Sequence, residues 1–182
     1  MRAGILACVL ASVLWVSPLQ AAIIHVIAGS HDLLPNTAGQ VIDVMVEGDG
    51  AVQGLNFIAM IGSGLTNEVP NITGVDIVGP GTLFGTNNTG QTDLPGLAYG
   101  YGGAWYAITS TVSNTVTPDP DPMVLARVTI TTAGYSAGAF ELLLKNIFLG
   151  DLGGPFSTNF EPWGVNDGNT LTIDNGRINI VP

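Results

Sequence analysis

The sequence is short of cysteine and of positive charge. Cys8 is its only cysteine, and four Lys and Arg residues stand against fourteen Asp and Glu residues. A single cysteine excludes an intramolecular disulfide, so packing alone must hold a folded domain together. A strongly acidic surface repels nucleic-acid phosphates and anionic lipid headgroups. The composition therefore disfavours nucleic-acid binding and peripheral membrane binding.

Charged residues and helical patterns are also scarce. Asp, Glu, Lys and Arg make up 10% of the chain, well below the usual quarter. No window carries a sustained apolar stripe at helical spacing. The 25 glycines and 11 prolines instead punctuate short runs rich in Val, Ile and Thr. This pattern favours an all-β protein.

The N-terminus has the layout of a secretory leader. Arg2 precedes an apolar run at residues 3–16, and small residues follow up to Ala22. This arrangement is typical of a signal peptide, and the run is shorter than the ~20 residues of a spanning helix. We expect a leader at residues 1–21, with cleavage after Ala21 or Ala22, and one domain at residues 22–182. The expected location is secreted, extracellular or at the cell surface.

Alternation of apolar and polar residues predicts the strands of that domain. It is clearest at residues 41–47, 55–61, 124–130 and 140–144, where every second side chain should face a core. Ile58 and Met60 also make the second face of residues 55–61 apolar, which predicts a central strand. Asn175-Gly176 near the C-terminus predicts a hairpin turn between two strands. The expected architecture is a two-sheet antiparallel β-sandwich, a flattened jelly roll of about nine strands.

Taken in order, these segments resemble the cohesin and carbohydrate-binding-module superfamily. The resemblance rests on residues 39–46 (GQVIDVMV), 52–57 (VQGLNF), 123–130 (MVLARVTI), 138–144 (GAFELLL) and 175–180 (NGRINI). It implies an exported, non-catalytic module of a bacterial surface, similar to cohesins that use a sheet face to dock a calcium-loaded dockerin. The strand pattern also resembles PEP-CTERM-type surface proteins, although their Pro-Glu-Pro motif does not occur up to Pro182.

Aromatic residues suggest a second kind of partner. Tyr99, Tyr101 and Trp105 alternate with glycines in the 97–106 segment, and Trp163 lies in another aromatic stretch. Exposed rings of this kind can stack on the apolar faces of sugars. These four residues are the candidate carbohydrate-binding residues. The alternative is that Trp105 begins a strand and fills the core.

Catalytic and metal-binding patterns are weak. Gly134-Tyr135-Ser136-Ala137-Gly138 matches a nucleophile elbow in letters, but a strand rather than a helix is predicted after it. We therefore expect a glycine-bracketed turn, no catalytic residues and no enzyme activity, and a hydrolase is the least favoured alternative. His25 and His31 alone do not make a metal site. No cofactor is expected, although Asp119, Asp121 and residues 166–169 leave calcium possible.

The sequence thus predicts a non-catalytic binding or scaffolding module of the bacterial cell surface. The expected partner is another protein, bound in adhesion of the cohesin type. The alternative partner is a polysaccharide, bound by the aromatic rings of the 97–106 segment.

Overall fold

The computed structural model of the protein describes residues 22–62, 68–95, 102–145, 147–149, 154–161 and 170–182. Within these ranges the secondary structure consists of fourteen strands and no helix, and therefore no helix that could span a membrane. The strands are β1 (Ile23–Ile27), β2 (Ser30–Leu33), β3 (Gln40–Gly48), β4 (Gly54–Ile61), β5 (Asn71–Asp76), β6 (Thr92–Pro95), β7 (Ala104–Ser110), β8 (Met123–Thr131), β9 (Gly138–Leu143), β10 (Ile147–Leu149), β11 (Gly154–Phe156), β12 (Asn159–Glu161), β13 (Thr170–Asp174) and β14 (Gly176–Ile180).

Two large sheets form a sandwich, which confirms the expected fold class. The first sheet has the order β13-β1-β3-β8-β5, and the second has the order β2-β14-β9-β4-β7-β6, with β12 also paired to β4. Strands β10 and β11 form a separate hairpin. The sheets are mixed rather than purely antiparallel, because β1 pairs β13 and β2 pairs β14 in parallel.

The two ends of the chain pass from one sheet to the other side by side. β1 leads into β2 through Ala28 and Gly29, and β13 leads into β14 through Asn175. The Ala28 amide donates to the Asp174 carbonyl at 3.0 Å, and the Arg177 amide donates to the Gly29 carbonyl at 2.9 Å. Hydrogen bonds therefore join the two crossings to each other.

The predicted hairpin at Asn175-Gly176 is wrong, because β13 and β14 belong to different sheets. Neither residue has a positive φ. Gly176 is instead required by close packing, since a Cβ at this position would collide with the Gly29 carbonyl oxygen. Asn175 Oδ1 accepts hydrogen bonds from the amides of Leu144 and Lys145, at 2.8 and 3.1 Å. The dipeptide fixes a sheet crossing rather than a turn.

The main core follows the predicted alternation, with one exception. Ile42, Val44 and Val46 of β3 are buried between the sheets as predicted. In β8, however, Leu125 and Ala126 are both buried, whereas alternation predicted Val124 as an inward residue. The β3–β8 register shifts between Val44 and Met45, where a bulge adds one residue to β8. The bulge changes which side chains of β8 face inward.

Two glutamine side chains close the edges of the sandwich. Gln40, the first residue of β3, accepts from the Leu34 amide at 2.7 Å and donates to the Leu34 carbonyl at 3.0 Å, just past β2. Gln91, next to β6, accepts from the Ile77 amide at 2.8 Å and donates to the Val75 carbonyl at 2.7 Å along β5. Each amide reproduces the donor and acceptor of a peptide group. Gln40 therefore connects the first sheet to the backbone just after β2 of the second sheet. Gln91 connects the second sheet to β5 of the first sheet and to the residue just after it.

A threonine completes the pairing of the central strand β4. One edge of β4 pairs β12 at Gly54–Asn56 and β9 at Met60 and Ile61, which leaves Ile58 between them. The Thr158 hydroxyl accepts from the Ile58 amide at 3.2 Å and donates to the Ile58 carbonyl at 3.3 Å. Thr158 is completely buried, so water cannot replace it.

We expect Thr158→Val to lower the free energy of unfolding by about 1–3 kcal/mol, because it leaves a buried donor and acceptor without partners. Thr158→Ser keeps the hydroxyl and loses only a methyl group, so it should cost about 1 kcal/mol. Urea denaturation of both variants measures the difference. A valine variant as stable as the serine variant would contradict this role.

Candidate binding faces

The outer face of the first sheet is charged, and its charges are paired within the face. Arg127 lies between Asp43 and Asp76, with nitrogen–oxygen distances of 3.7 and 3.8 Å. The His25 ring lies between Glu47 and Asp174, which it contacts through Nδ1 at 3.0 Å and Nε2 at 2.8 Å. These hydrogen bonds, first that with Glu47 and then that with Asp174, raise the pKa of His25 above its ordinary value.

The outer face of the second sheet contains a second, smaller apolar cluster. Ile58 and Met60 of β4 are 1% and 3% exposed, although they lie on the side of the sheet away from the main core. They pack with Ala104 and Ile147, and Tyr106 and Leu143 lie against them. This burial confirms the prediction that β4 is a central strand with two apolar faces.

An uncharged surface extends from this cluster across β7 to β6. The strand registers place Ile58, Tyr106 and Leu94 in one row and Asn56, Ile108 and Thr92 in the next. The first row runs from a buried residue through a half-buried one to Leu94, which is 45% exposed. We call these six residues the β4–β7–β6 face. None of the six is Asp, Glu, His, Lys or Arg, in a chain of formal charge −10, although Glu161 of β12 borders the face beside Gly54.

Hydrogen bonds fix the polar groups of the β4–β7–β6 face. The Tyr106 hydroxyl donates to Asn56 Oδ1 at 3.2 Å. Asn56 Nδ2 in turn donates to Asn159 Oδ1 of β12 at 2.8 Å. Burial raises the pKa of Tyr106, and the nearby charge of Glu161 adds to the effect. Tyr106 therefore stays neutral in the physiological range and offers a fixed phenol to a partner.

Trp105, the one candidate sugar-binding residue within the described ranges, faces the interior of the sandwich. Its cross-strand neighbour is the buried Ala59, and its half-buried ring packs against the main core. Its indole nitrogen donates to Asp93 Oδ1 at 2.9 Å, an atom that also accepts from Gln91 Nε2 at 2.7 Å. The Trp105 side chain therefore packs against the core and is hydrogen-bonded to Asp93, which also binds Gln91. It does not present a flat ring for stacking.

The glycines next to Trp105 serve close packing. The Gly103 carbonyl accepts from the Ile61 amide of the second sheet at 2.7 Å, and the Gly102 carbonyl accepts from the Ile72 amide of the first at 2.8 Å. A Cβ at Gly102 would collide with the Asn71 side chain. The chain here links both sheets through its backbone. Tyr99, Tyr101 and Trp163 lie outside the described residues.

The structure also shows where the remaining sequence motifs lie, namely the nucleophile-elbow match and the possible calcium ligands. Gly134 has a φ of 89° and lies in a turn, and strand β9 begins at Gly138, so the nucleophile-elbow geometry does not form. The Asp121 amide donates to Asp119 Oδ1 at 3.1 Å in a local turn. Residues 166–169 lie outside the described ranges. Within those ranges, no three His, Cys, Asp or Glu side chains are grouped to hold a metal ion.

Solved structures with a similar fold are cohesin modules. The seventh ScaB type I cohesin of Pseudobacteroides cellulosolvens aligns with a TM-score of 0.56 at 12% identity, over 87% of this chain and 92% of that one. A non-cellulosomal cohesin from the archaeon Archaeoglobus fulgidus aligns with a TM-score of 0.53 at 14% identity, over 90% and 93%. The third cohesin ScaC of Acetivibrio cellulolyticus, solved in complex with the ScaB dockerin, aligns with a TM-score of 0.50 at 12% identity, over 87% and 99%.

No protein-family model matches the sequence, and no curated protein matches it either. The structural similarity spans most of each chain at low identity, so it establishes a cohesin-like fold. It confirms the fold that the strand pattern of the sequence implied.

We expect Trp105→Ala to lower the free energy of unfolding by about 2–3 kcal/mol, because it removes a ring that packs against the core. Trp105→Phe keeps most of the ring and loses the bond to Asp93, so it should cost about 1 kcal/mol. Chemical denaturation monitored by circular dichroism measures both. An alanine variant within about 0.5 kcal/mol of wild type would indicate a surface ring and would contradict the packing described.

Proposed function

We propose that the protein is a non-catalytic binding module that docks a dockerin-type protein on its β4–β7–β6 face. The observation that carries the proposal is the row from buried Ile58 through Tyr106 to exposed Leu94, uncharged in a strongly acidic chain. Protein interfaces are depleted in charge at their centres and enriched in tyrosine. An apolar row that continues from a packed cluster onto an open face has this character.

The choice of partner rests on the fold. A structurally similar cohesin was solved in complex with a dockerin. The outer face of the first sheet is a less suitable docking surface. Its charged side chains are already paired with one another, and burying such pairs costs more desolvation than burying an apolar row.

The chain offers a matched pair of variants to test which face binds. Leu94 on the β4–β7–β6 face is 45% exposed, and Val41 on the outer face of the first sheet is 55% exposed. Either can be changed to arginine without emptying the core. We expect Leu94→Arg to weaken dockerin binding at least ~10-fold, about 1.4 kcal/mol, because it buries an unpaired charge. Val41→Arg should change binding by less than about twofold, within the ±0.5 kcal/mol typical of surface substitutions.

Isothermal titration of the mature chain with the ScaB dockerin of Acetivibrio cellulolyticus and a panel of other dockerins measures these affinities. Equal losses in both variants would place the interface elsewhere. If wild type binds no dockerin of the panel, the proposed partner is wrong. Circular dichroism of each variant verifies that it is folded.

We also propose that the module is exported to the cell surface or medium and that its mature chain begins at Ala22. The leader at residues 1–21 supports export. The Ala22 carbonyl accepts the Thr170 amide at 2.9 Å, so cleavage after Ala22 would remove the partner of the first residue of β13.

Intact mass measurement of protein recovered from the periplasm or medium tests this start site. We expect a chain that begins at Ala22. A chain that begins at Ile23 would contradict the role of the Ala22 carbonyl, and a chain that retains residues 1–21 would contradict processing.

A further inference from the structure

His25 connects three strands of the first sheet through one ring. It lies in the middle of β1, and its Nδ1 contacts Glu47 Oε1 of β3 at 3.0 Å. Its Nε2 contacts Asp174 Oδ2 of β13 at 2.8 Å. The side chain of His25 is 28% exposed, so protons exchange between the ring and solvent.

The number of hydrogen bonds that this ring can make depends on its charge. A carboxylate is an acceptor only, so each contact needs an N–H on the ring. A neutral imidazole has one N–H, whereas an imidazolium has two. Both contacts are therefore satisfied together only when His25 is protonated.

The other charges near His25 are also acidic. Asp49, whose Oδ1 accepts the Ile23 amide at 2.8 Å, lines the same shallow groove as His25 and Glu47. Pro120 lines its far side, between Asp119 and Asp121 in the chain. The ion pairs of Arg127 are with Asp43 and Asp76. A protonated His25 is thus the positive charge that Glu47 and Asp174 share.

β13 is the strand that depends most on this contact. It lies at the end of the sheet order and pairs only β1 there, in parallel. Asp174 is its last residue, next to the crossing at Asn175. The side chain of Asp174 therefore anchors β13 where the chain leaves the first sheet.

We propose that His25 is a pH switch. Its charged ring binds β13 to β1 and β3 through both carboxylates, and its neutral ring binds β13 less strongly. The direction follows from linkage. Because the pKa of His25 is raised above its ordinary value of 6.5 in the folded protein, folding favours the protonated ring. The stabilisation is complete below pH 6.5 and is lost as the pH rises through the raised value.

Two measurements on the mature chain test this pH switch. In a ¹⁵N NMR titration, the midpoint of His25 is compared with 6.5, the ordinary value for its imidazole. We expect the two ring nitrogens of His25 to report the imidazolium form at pH 6.5 and somewhat above it, because the pKa of His25 is raised. Asp174→Asn should lower the His25 midpoint, because it removes one of the two carboxylates that stabilise the charged ring. Asp43→Asn removes the same charge from the same sheet face, next to Arg127 instead, and should leave the midpoint unchanged.

Hydrogen exchange distinguishes a pH-dependent contact from one that is only structural, because only the former changes amide protection as His25 titrates. The Thr170 and Ala28 amides donate across the β1–β13 pair, to Ala22 and Asp174, and the Val116 amide donates to Val52 elsewhere. We expect protection of Thr170 and Ala28, relative to Val116, to fall at least ~10-fold across the His25 titration, because the neutral ring loses one hydrogen bond to a carboxylate, worth about 1.5 kcal/mol or more. In His25→Gln, which cannot titrate, this ratio should not change with pH. A His25 midpoint at or below the ordinary value of 6.5, or a ratio that changes equally in His25→Gln, would overturn the proposal.

Discussion

Each sheet contains one strand from the beginning of the chain and one from its end, and the sandwich depends on this arrangement. β1 and β13 lie together in the first sheet, and β2 and β14 lie together in the second. At the crossing, the Gly29 and Gly176 backbones approach so closely that a side chain at position 176 would not fit. Because both ends change sheets at one point, the hydrogen bonds between them hold the two layers in a fixed relation. The His25 contacts lie beside this point and strengthen or weaken it.

The edges of the sandwich are closed by polar side chains. Gln40 and Gln91 use their amides as substitute peptide groups, which occupies backbone donors and acceptors that another chain could otherwise pair with. On the second side, Asp93 joins Gln91 to the Trp105 ring. One short segment thus connects the edge, the core and the strand that carries Tyr106. The proposed docking face is therefore supported by packed and hydrogen-bonded neighbours.

Local patterns in the sequence predicted the strands and their inward faces well. Alternation identified Ile42, Val44 and Val46 as core residues, and the apolar Ile58 and Met60 correctly indicated a central strand. The pattern was wrong at Val124 because a bulge is a property of strand pairing, which alternation in one strand does not reveal. It was also wrong at Asn175-Gly176, where the same two letters serve close packing between sheets instead of a turn. The partners of His25 lie 22 and 149 residues away, and no local pattern indicates such contacts.

The position of β13 and β14 after the other strands in the sequence also constrains when the sandwich can fold. Until residues 170–180 leave the ribosome, the chain lacks the edge strand of the first sheet and the strand between β2 and β9. Until then β1 and β2 lack the partners that hydrogen-bond to one edge of each strand. Neither sheet of this topology is complete before that stretch has been synthesised. This order of events is compatible with the export proposed above, in which a chain crosses a translocation channel before it acquires tertiary structure.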